Sequence, residues 1–350
     1  KDFSCLKGFC PSFVTVHGGA LKKHAPVGGF DASALPEPVV PALTSKPWNI
    51  AITGVGGTGV LTIGALLGMA AHLEGKAAMI LDMAGLAQKG GAVLSHIRLG
   101  AKAEDVTSPR IVTGGADLLI AADDVVAVSK DGAQLCDPAR TFGVVNTHLT
   151  PIADFVRKRD FDFKSAQVEA SLKTQLRSAE DFVNFTAIAE AVAGDAIATN
   201  VMMLGYAWQK GLVPLSRQSI EQAIELNKVA VKANLAAFNW GRRVAVDRKG
   251  VEAAIAGPAR PPVLDEMTTE QLITHREKLL TDYQDARLAA KYRALVERVR
   301  GHVNGNDKLT RAVAHTYARL LAYKDEYEVA RLFTRPEFLE GLTAQFDGDY

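Results

Sequence analysis

The sequence predicts an α/β fold: an open, mostly parallel sheet with helices on both faces, followed by an all-helical segment. Three observations carry that prediction. From Trp48 onward, short apolar runs rich in β-branched residues alternate with helical patterns. The first of these runs breaks into glycines at 54, 56, 57 and 59 before a helix begins, the layout of a strand–turn–helix unit. Beyond about residue 165 the strand patterns stop and helical periodicity takes over.

The run NIAIT at 49–53 reads as a buried strand, and 58–74 as the helix after the glycine turn. Residues 77–82 form a second strand that ends on Asp82, and AVLSHIRL at 92–99 alternates well enough for a third. ADLLIAA at 116–122 and FGVVNT at 142–147 make two more, with a helix between them. Thr150 before Pro151 is a good cap followed by proline at the first helical position, so a helix is expected to run to Arg159. Helices are then expected at 178–193, 200–210 and 216–238, with Asn200 and Ser216 as caps and Gly211 and Gly241 as stops. Residues 268–300 read as one long amphipathic helix ended by Gly301, and 308–333 as another after the turn HVNGND. The segments 31–47, with four prolines, and 248–263, rich in Gly and Pro, read as linkers.

Bulk properties exclude several classes. Of the 350 residues, 48% are hydrophobic and 23% charged, ordinary for a globular chain with two or three cores. A formal net charge of +1 offers no footprint for nucleic acid. The richest apolar run, 111–128, is broken by Asp117, Asp123 and Asp124, so no membrane span is expected. Three cysteines make no disulfide framework, and a reducing cytoplasm is the default. A start on Lys1 rather than Met, and an end on FDGDY without a closing element, read as a fragment.

The glycine turn leaves three readings open. Gly54, Gly56, Gly57 and Gly59 put backbone N–H groups and a helix N-terminus around one concave spot suited to an anion. Asp82, 23 residues after Gly59, stands where a dinucleotide enzyme keeps its ribose-binding acid, which favours NAD(P) or a flavin. Anion binding without a dinucleotide, as at the phosphates of coenzyme A, is the second reading. The third is a purely structural turn in a non-catalytic docking or dimerisation module. The residues after Asp82 help to choose. Lys89, Gly90 and Gly91 precede a strand bearing His96 and Arg98, where a dinucleotide fold would enter a crossover helix. His96 is expected to be hydrogen-bonded at a sheet surface. Asp123 and Asp124 end a strand at the carboxyl edge, where open α/β sheets bind ligands, and serve equally as a cap. His148 follows a strand without a metal-ligand partner at useful spacing, and Met202, Met203 and Trp208 read as core.

Taken together and in order, GVGGTGV, QKGGAVLSHIRL, ADLLIAAD, VVNT and NVMMLG resemble the gamma domain of 2-oxoacid:ferredoxin oxidoreductases over about residues 48–241. The arrangement is most similar to the long fused indolepyruvate ferredoxin oxidoreductases. The flanks fit that form: SCLKGFCPSFVTVHGG resembles the end of an iron–sulfur-binding segment, and YKDEYEVARLF the helical tail. On this resemblance the chain divides into 1–30 (iron–sulfur end), 31–47 (linker), 48–245 (Rossmann-like gamma domain), 246–264 (linker) and 265–350 (helical domain, cut short).

The resemblance implies a share in a larger reaction: decarboxylation of a 2-oxoacid on thiamine diphosphate with magnesium, electrons passed through iron–sulfur clusters to ferredoxin, and the acyl group delivered to coenzyme A. It implies contacts to coenzyme A phosphates through Gly54, Gly56, Gly57, Gly59, Lys89, Gly90 and Gly91, and cluster ligands at Cys5 and Cys10 in the intact protein. The thiamine motif is missing; KDG at 130–132 and FDGDY do not match it. No catalytic residue is therefore assigned, and the fragment is expected to hold no cofactor tightly. Partners implied are the thiamine-binding and other domains of the same polypeptide, ferredoxin, and a second copy in a homo-oligomer. The sequence departs from the family pattern at 85–89, which reads GLAQK where many gamma chains carry Tyr-Gly and an Arg before Gly-Gly. Lysine there offers a point charge rather than a guanidinium fork.

Overall fold

The computed structural model describes residues 14–22, 30–57, 59–84, 91–148, 165–178, 180–256, 264, 266–303, 307–323 and 325–348. The chain divides into two compact units, one of residues 24–256 and one of residues 1–23 with 257–350.

In the first unit, β1 (Trp48–Val55) leads through the glycine turn to α1 (Val60–Leu73), then to β2 (Ala77–Ala84) and β3 (Ala92–Gly100). β4 (Leu118–Ala121) is followed by the short helices α2 (Asp124–Ala127) and α3 (Lys130–Ala133), and then by β5 (Phe142–Asn146). α4 (Ser165–Gln175), β6 (Phe182–Val183), α5 (Phe185–Ala193) and α6 (Thr199–Gln209) come next. α7 (Arg217–Asn227), α8 (Val231–Val246) and α9 (Arg248–Ile255) complete the unit.

Among the described residues the sheet has six strands in the order β2-β3-β1-β4-β5-β6. β1, β4, β5 and β6 run parallel to one another, whereas β3 lies antiparallel between β1 and β2. The sheet is mixed and mostly parallel, with helices on both faces as expected. Ile50 and Ile52 of β1 point to the core shared with α1, α6 and α8; Ala51 points to the opposite core with Ala127 of α2, Leu172 of α4 and Leu176 just beyond it. Strand periodicity of two places alternate residues in different cores.

Helix–helix contact in the larger core depends on two glycines. A Cβ at Gly205 of α6 would lie 2.0 Å from the Phe238 carbonyl oxygen of α8. One at Gly241 of α8 would lie 1.9 Å from that of Met202 on α6. The two helices therefore cross backbone on backbone. Met202, Met203 and Trp208 beside the crossing are buried, as their helical spacing predicts. Arg242 is fully buried against the Trp208 ring, 5.1 Å from its centre, and donates to Gln209 and Asn239. Cation–π contact and two hydrogen bonds make that burial tolerable.

Several elements differ from the sequence reading. Residues 31–47 start with one 3-10 turn at Ala32–Ala34 and then run without regular structure, but they are packed down: Pro36 accepts a hydrogen bond from Gln209, Glu37 pairs with Arg217, and Val40 and Leu43 pack against the core. The single helix expected at 178–193 is instead a two-residue strand beside β5 followed by α5, because Asn184 caps the helix by accepting the Ala187 N–H. The helix 216–238 is broken at Lys228 and Ala230, both left-handed. Residues 248–255 are helical rather than linker, since Asp247 accepts the Gly250 N–H. The helix expected at 150–159 lies outside the described residues.

The second unit is helical: α10 (Thr269–Tyr283), α11 (Ala286–His302), α12 (Asp307–Leu321), α13 (Glu326–Phe333) and α14 (Pro336–Gln345). Phe346–Asp347 pairs antiparallel with Ala20–Leu21. The two long helices of the sequence reading are each split, by Asp285 and Asp325, whose carboxylates accept N–H groups at the starts of α11 and α13. An aspartate able to cap competes with helix continuation from inside the pattern. Leu272, Ile273, Leu280, Tyr292, Val296 and Ala314 form the core. Among the described residues, no helix in either unit is long and apolar enough to cross a membrane.

Candidate functional site

The carboxyl ends of the parallel strands gather on one edge of the sheet, and the glycine turn lies there. β1 pairs with β3 as far as Val55 opposite Ala92, and the ladder extends one bond further: the Gly56 N–H donates to the Gly91 carbonyl at 2.8 Å. That contact holds the glycine turn against the end of the QKGG motif. Gly57 and Gly59 have φ of 92° and 89°, in the left-handed region where glycine escapes the Cβ clash. Gly59 is the cap of α1 and provides no side chain to accept its first N–H groups. An uncapped helix start of this kind offers partial positive charge and free amides.

Beside the turn is a cavity of about 150 Å³ whose wall includes Val55, Asp123, Asn146, His148, Thr186 and Asn200. The Asn200 amide nitrogen lies 3.6 Å from where a Gly59 Cβ would be. Four of the sequence motifs thus meet at one place: GVGGTGV, ADLLIAAD, VVNT and NVMMLG each contribute to this edge. Asn200 is not the cap of α6; Ala198 is, again with no side-chain cap. The wall is braced by hydrogen bonds. Asn146 donates to the Ala122 carbonyl at 3.2 Å and to the Thr186 hydroxyl at 3.0 Å, and Thr199 donates to Thr186 at 3.4 Å.

Two carboxyls sit at this edge. Asp123 accepts the Val126 N–H at 2.8 Å as the cap of α2, and burial raises its pKa. Asp124 is pushed up to about 6, first by burial, then by the neighbouring Asp123 charge, with Glu169 contributing. An anion is therefore suited to the glycine side of the edge and not to the Asp123 wall. Sequence reasoning placed Asp123 and Asp124 here but missed Asn146 and Thr186. The asparagine at the carboxyl end of VVNT was the available signal.

Other sequence candidates fall elsewhere. Lys89, Gly90, Cys5 and Cys10 lie outside the described residues. Asp82 is bound to Ser95, whose hydroxyl donates to it at 2.6 Å, and β3 intervenes between its strand and β1. It therefore stands two strand spacings, roughly 10 Å, from the glycine strand. A dinucleotide fold keeps that acid on the strand next to β1, so the arrangement disfavours the NAD(P) or flavin alternative. His96 is buried, with Nδ1 accepting the Ile111 N–H at 3.0 Å. Arg98 is bound to Asn49 and Ser108 at the opposite edge. Neither faces the site.

The described residues do not fit an iron–sulfur cluster or thiamine diphosphate. Among them no group of three or more His, Cys, Asp or Glu side chains is placed to hold a metal. Burial pushes the Cys136 thiol up to about 11, away from a thiolate ligand. Lys130, Asp131 and Gly132 of the KDG tripeptide belong to α3, where the Gly132 N–H is bound by Ser129. They form no diphosphate loop.

The chain has relatives among known proteins. A family model described as pyruvate ferredoxin/flavodoxin oxidoreductase matches residues 49–244, and one described as a family of unknown function matches residues 269–350. Indolepyruvate oxidoreductase subunit IorB of Pyrococcus horikoshii is 30% identical over 203 residues, 57% of this chain and 96% of that protein. IorB of Thermococcus kodakarensis is 29% identical over 209 residues, 59% of this chain and 100% of that protein. Two solved structures are similar. Pyruvate oxidoreductase subunit PORC of Thermotoga maritima covers 57% of this chain and 96% of its own, at 19% identity and a TM-score of 0.40. The gamma subunit of a keto/oxoacid ferredoxin oxidoreductase from Geobacter sulfurreducens covers 57% and 98%, at 22% identity and a TM-score of 0.38. With the first family model spanning more than half of its length, the chain belongs to the pyruvate ferredoxin/flavodoxin oxidoreductase family.

Proposed function

We propose that the chain supplies the gamma-type domain of an indolepyruvate ferredoxin oxidoreductase, which oxidatively decarboxylates an aryl 2-oxoacid and delivers the acyl group to coenzyme A and the electrons to ferredoxin. The observation that carries this is the relation to two archaeal IorB subunits over nearly their whole length. The thiamine diphosphate, with its magnesium, supplies the carbanion chemistry from another domain or subunit; no step of it is assigned to this chain. Cys5 and Cys10, five positions apart, are cluster ligands of the intact protein on this reading. The other domains, ferredoxin and a second copy are its partners, and a cytoplasmic location goes with them.

The part assigned to this chain is a contact to the phosphates of coenzyme A. The uncapped start of α1 and the backbone amides of the glycine turn favour negative charge, and Lys89, two positions before Gly91, adds a cation. The Gly56 amide is already used by Gly91, so its role is to hold the turn rather than to bind. The test uses the complete oxidoreductase. A Cβ at Gly56 meets only ordinary contacts, the nearest being the Gly91 oxygen at 3.5 Å, so Gly56→Leu folds yet crowds the turn. The KM for coenzyme A is expected to rise at least tenfold with the 2-oxoacid KM unchanged, and Lys89→Gln to act in the same direction. An unaltered coenzyme A KM in both variants overturns the assignment.

A further inference from the structure

The helical unit contains a cavity unrelated to the sheet edge. It has a volume of about 410 Å³ and lies among α10, α12 and α13, within the ~300–1,000 Å³ range of small-molecule sites. Its walls combine apolar surface from Leu279, Ala318, Ala322 and Leu332 with two guanidinium groups, Arg276 and Arg319.

Those two cations are poorly compensated. Arg276 is only 9% exposed. Its Nε has no hydrogen-bond partner, and its Nη2 makes a long 3.5 Å approach to His315 Nδ1. No carboxylate pairs with it among the described residues. Arg319 is exposed, repels Arg276, and makes no hydrogen bond or ion pair among the described residues. Glu328 is the acid on the wall, and both of its oxygens are taken by Arg331 at 2.6 and 2.7 Å. Elsewhere in the unit arginines are well matched: Arg293 binds Glu270 and Glu277, and Arg300 binds Glu270 and Glu297. A buried guanidinium with an unpartnered Nε and no carboxylate is costly, and two like charges at one cavity add to the cost.

We propose that this cavity is a binding site for a small carboxylate with an apolar body. The carboxylate would accept from Arg276 and Arg319, a geometry that guanidinium forks favour, and the apolar body would lie on the leucine and alanine wall. A purely inorganic anion would satisfy the charges but leave that wall wet. The site is independent of the function proposed above.

The experiment is a calorimetric titration of the whole 350-residue chain with phenylacetate, its neutral isostere phenylacetamide, acetate and inorganic phosphate. Saturable binding of phenylacetate is expected, at least tenfold tighter than each of the other three. Arg319→Gln, at an exposed position that does not threaten folding, is expected to weaken phenylacetate at least tenfold. Arg276→Gln is expected to do so more strongly, with circular dichroism reporting whether it folds. Absence of phenylacetate binding to the wild-type chain overturns the proposal. So does phosphate binding as tightly, or an affinity that Arg319→Gln leaves unchanged.

Discussion

Replacing Gly205 with alanine tests the backbone crossing of α6 and α8. The new methyl carbon would be 2.0 Å from the Phe238 carbonyl oxygen and 2.8 Å from its carbon. Neither atom belongs to a side chain that can swing away, so the helices must separate by about 1 Å in a close-packed interior. Alanine's better helix propensity returns about 1 kcal/mol. Against it stands an overpacking cost of about 1–3 kcal/mol or more. A gap of that size also forfeits a quarter to a half of the dispersion attraction between facing atoms, and Met202, Met203, Trp208 and Phe238 around the crossing are all at most 1% exposed. The net expectation is a loss of roughly 2–4 kcal/mol. Urea denaturation followed by tryptophan fluorescence reads it directly, because Trp48, Trp208 and Trp240 are the chain's tryptophans and all lie in the 24–256 unit. The midpoint is expected to fall with the slope unchanged. Gly241→Ala should behave alike, and the double variant should cost less than the sum, since the gap opened by one methyl admits the other. A Gly205→Ala chain within about 0.5 kcal/mol of wild type, or strict additivity of the pair, refutes the crossing as described.

Further outcomes are expected at individual positions. Gly301→Ala in α11, where a Cβ meets nothing within 4 Å, should stabilise the helical unit by about 0.5–1 kcal/mol in thermal melts; destabilisation would contradict the open environment. Gly57→Ala also meets open space but at φ 92°, so it should cost about 1–2 kcal/mol through backbone strain alone. Burial holds the His96 pKa below its ordinary value, with Arg110 adding repulsion. The folded protein therefore binds fewer protons than the unfolded one, and stability should be lost as pH falls below about 6.5; His96→Gln should flatten that part of an acid-unfolding curve. Asp124, raised to about 6, acts in the opposite direction: its penalty appears as pH rises from about 4 to 6. Asp124→Asn should raise stability at pH 7 by about 1–2 kcal/mol, and a decrease would show that the charged carboxylate is stabilised by its surroundings.

The strands and the glycine turn were legible because their signals are local: β-branched runs, and glycines where left-handed φ is needed. The antiparallel insertion of β3 was half legible. The stretch 85–91 between β2 and β3 is too short for a parallel crossover, which needs a dozen or more residues. Its lack of a helical pattern showed the departure from a dinucleotide fold without showing the strand order. Helix breaks at 228–230 and at Asp285 were hidden, since neither contains glycine or proline, and only the capping aspartate signals the second. At the site, Asp123 was visible as a cap, and Asn200 as a polar residue near a helix start. Their meeting with Asn146 and Thr186 is a property of the packed sheet, in which Asn146 and Thr186, 40 positions apart, share a hydrogen bond and Thr53 and Asp123, 70 apart, share another.

The hairpin of β2 and β3 has a consequence for how this edge can vary. Because β2 runs with β1 and β3 returns against both, the chain reverses on the same rim where β1, β4 and β5 finish. A crossover helix would have carried that reversal to the far rim. The stretch between the two strands can therefore lengthen, shorten or exchange residues next to the glycines while the sheet behind it keeps its register. Changes of residue or length at that rim need no change in the scaffold.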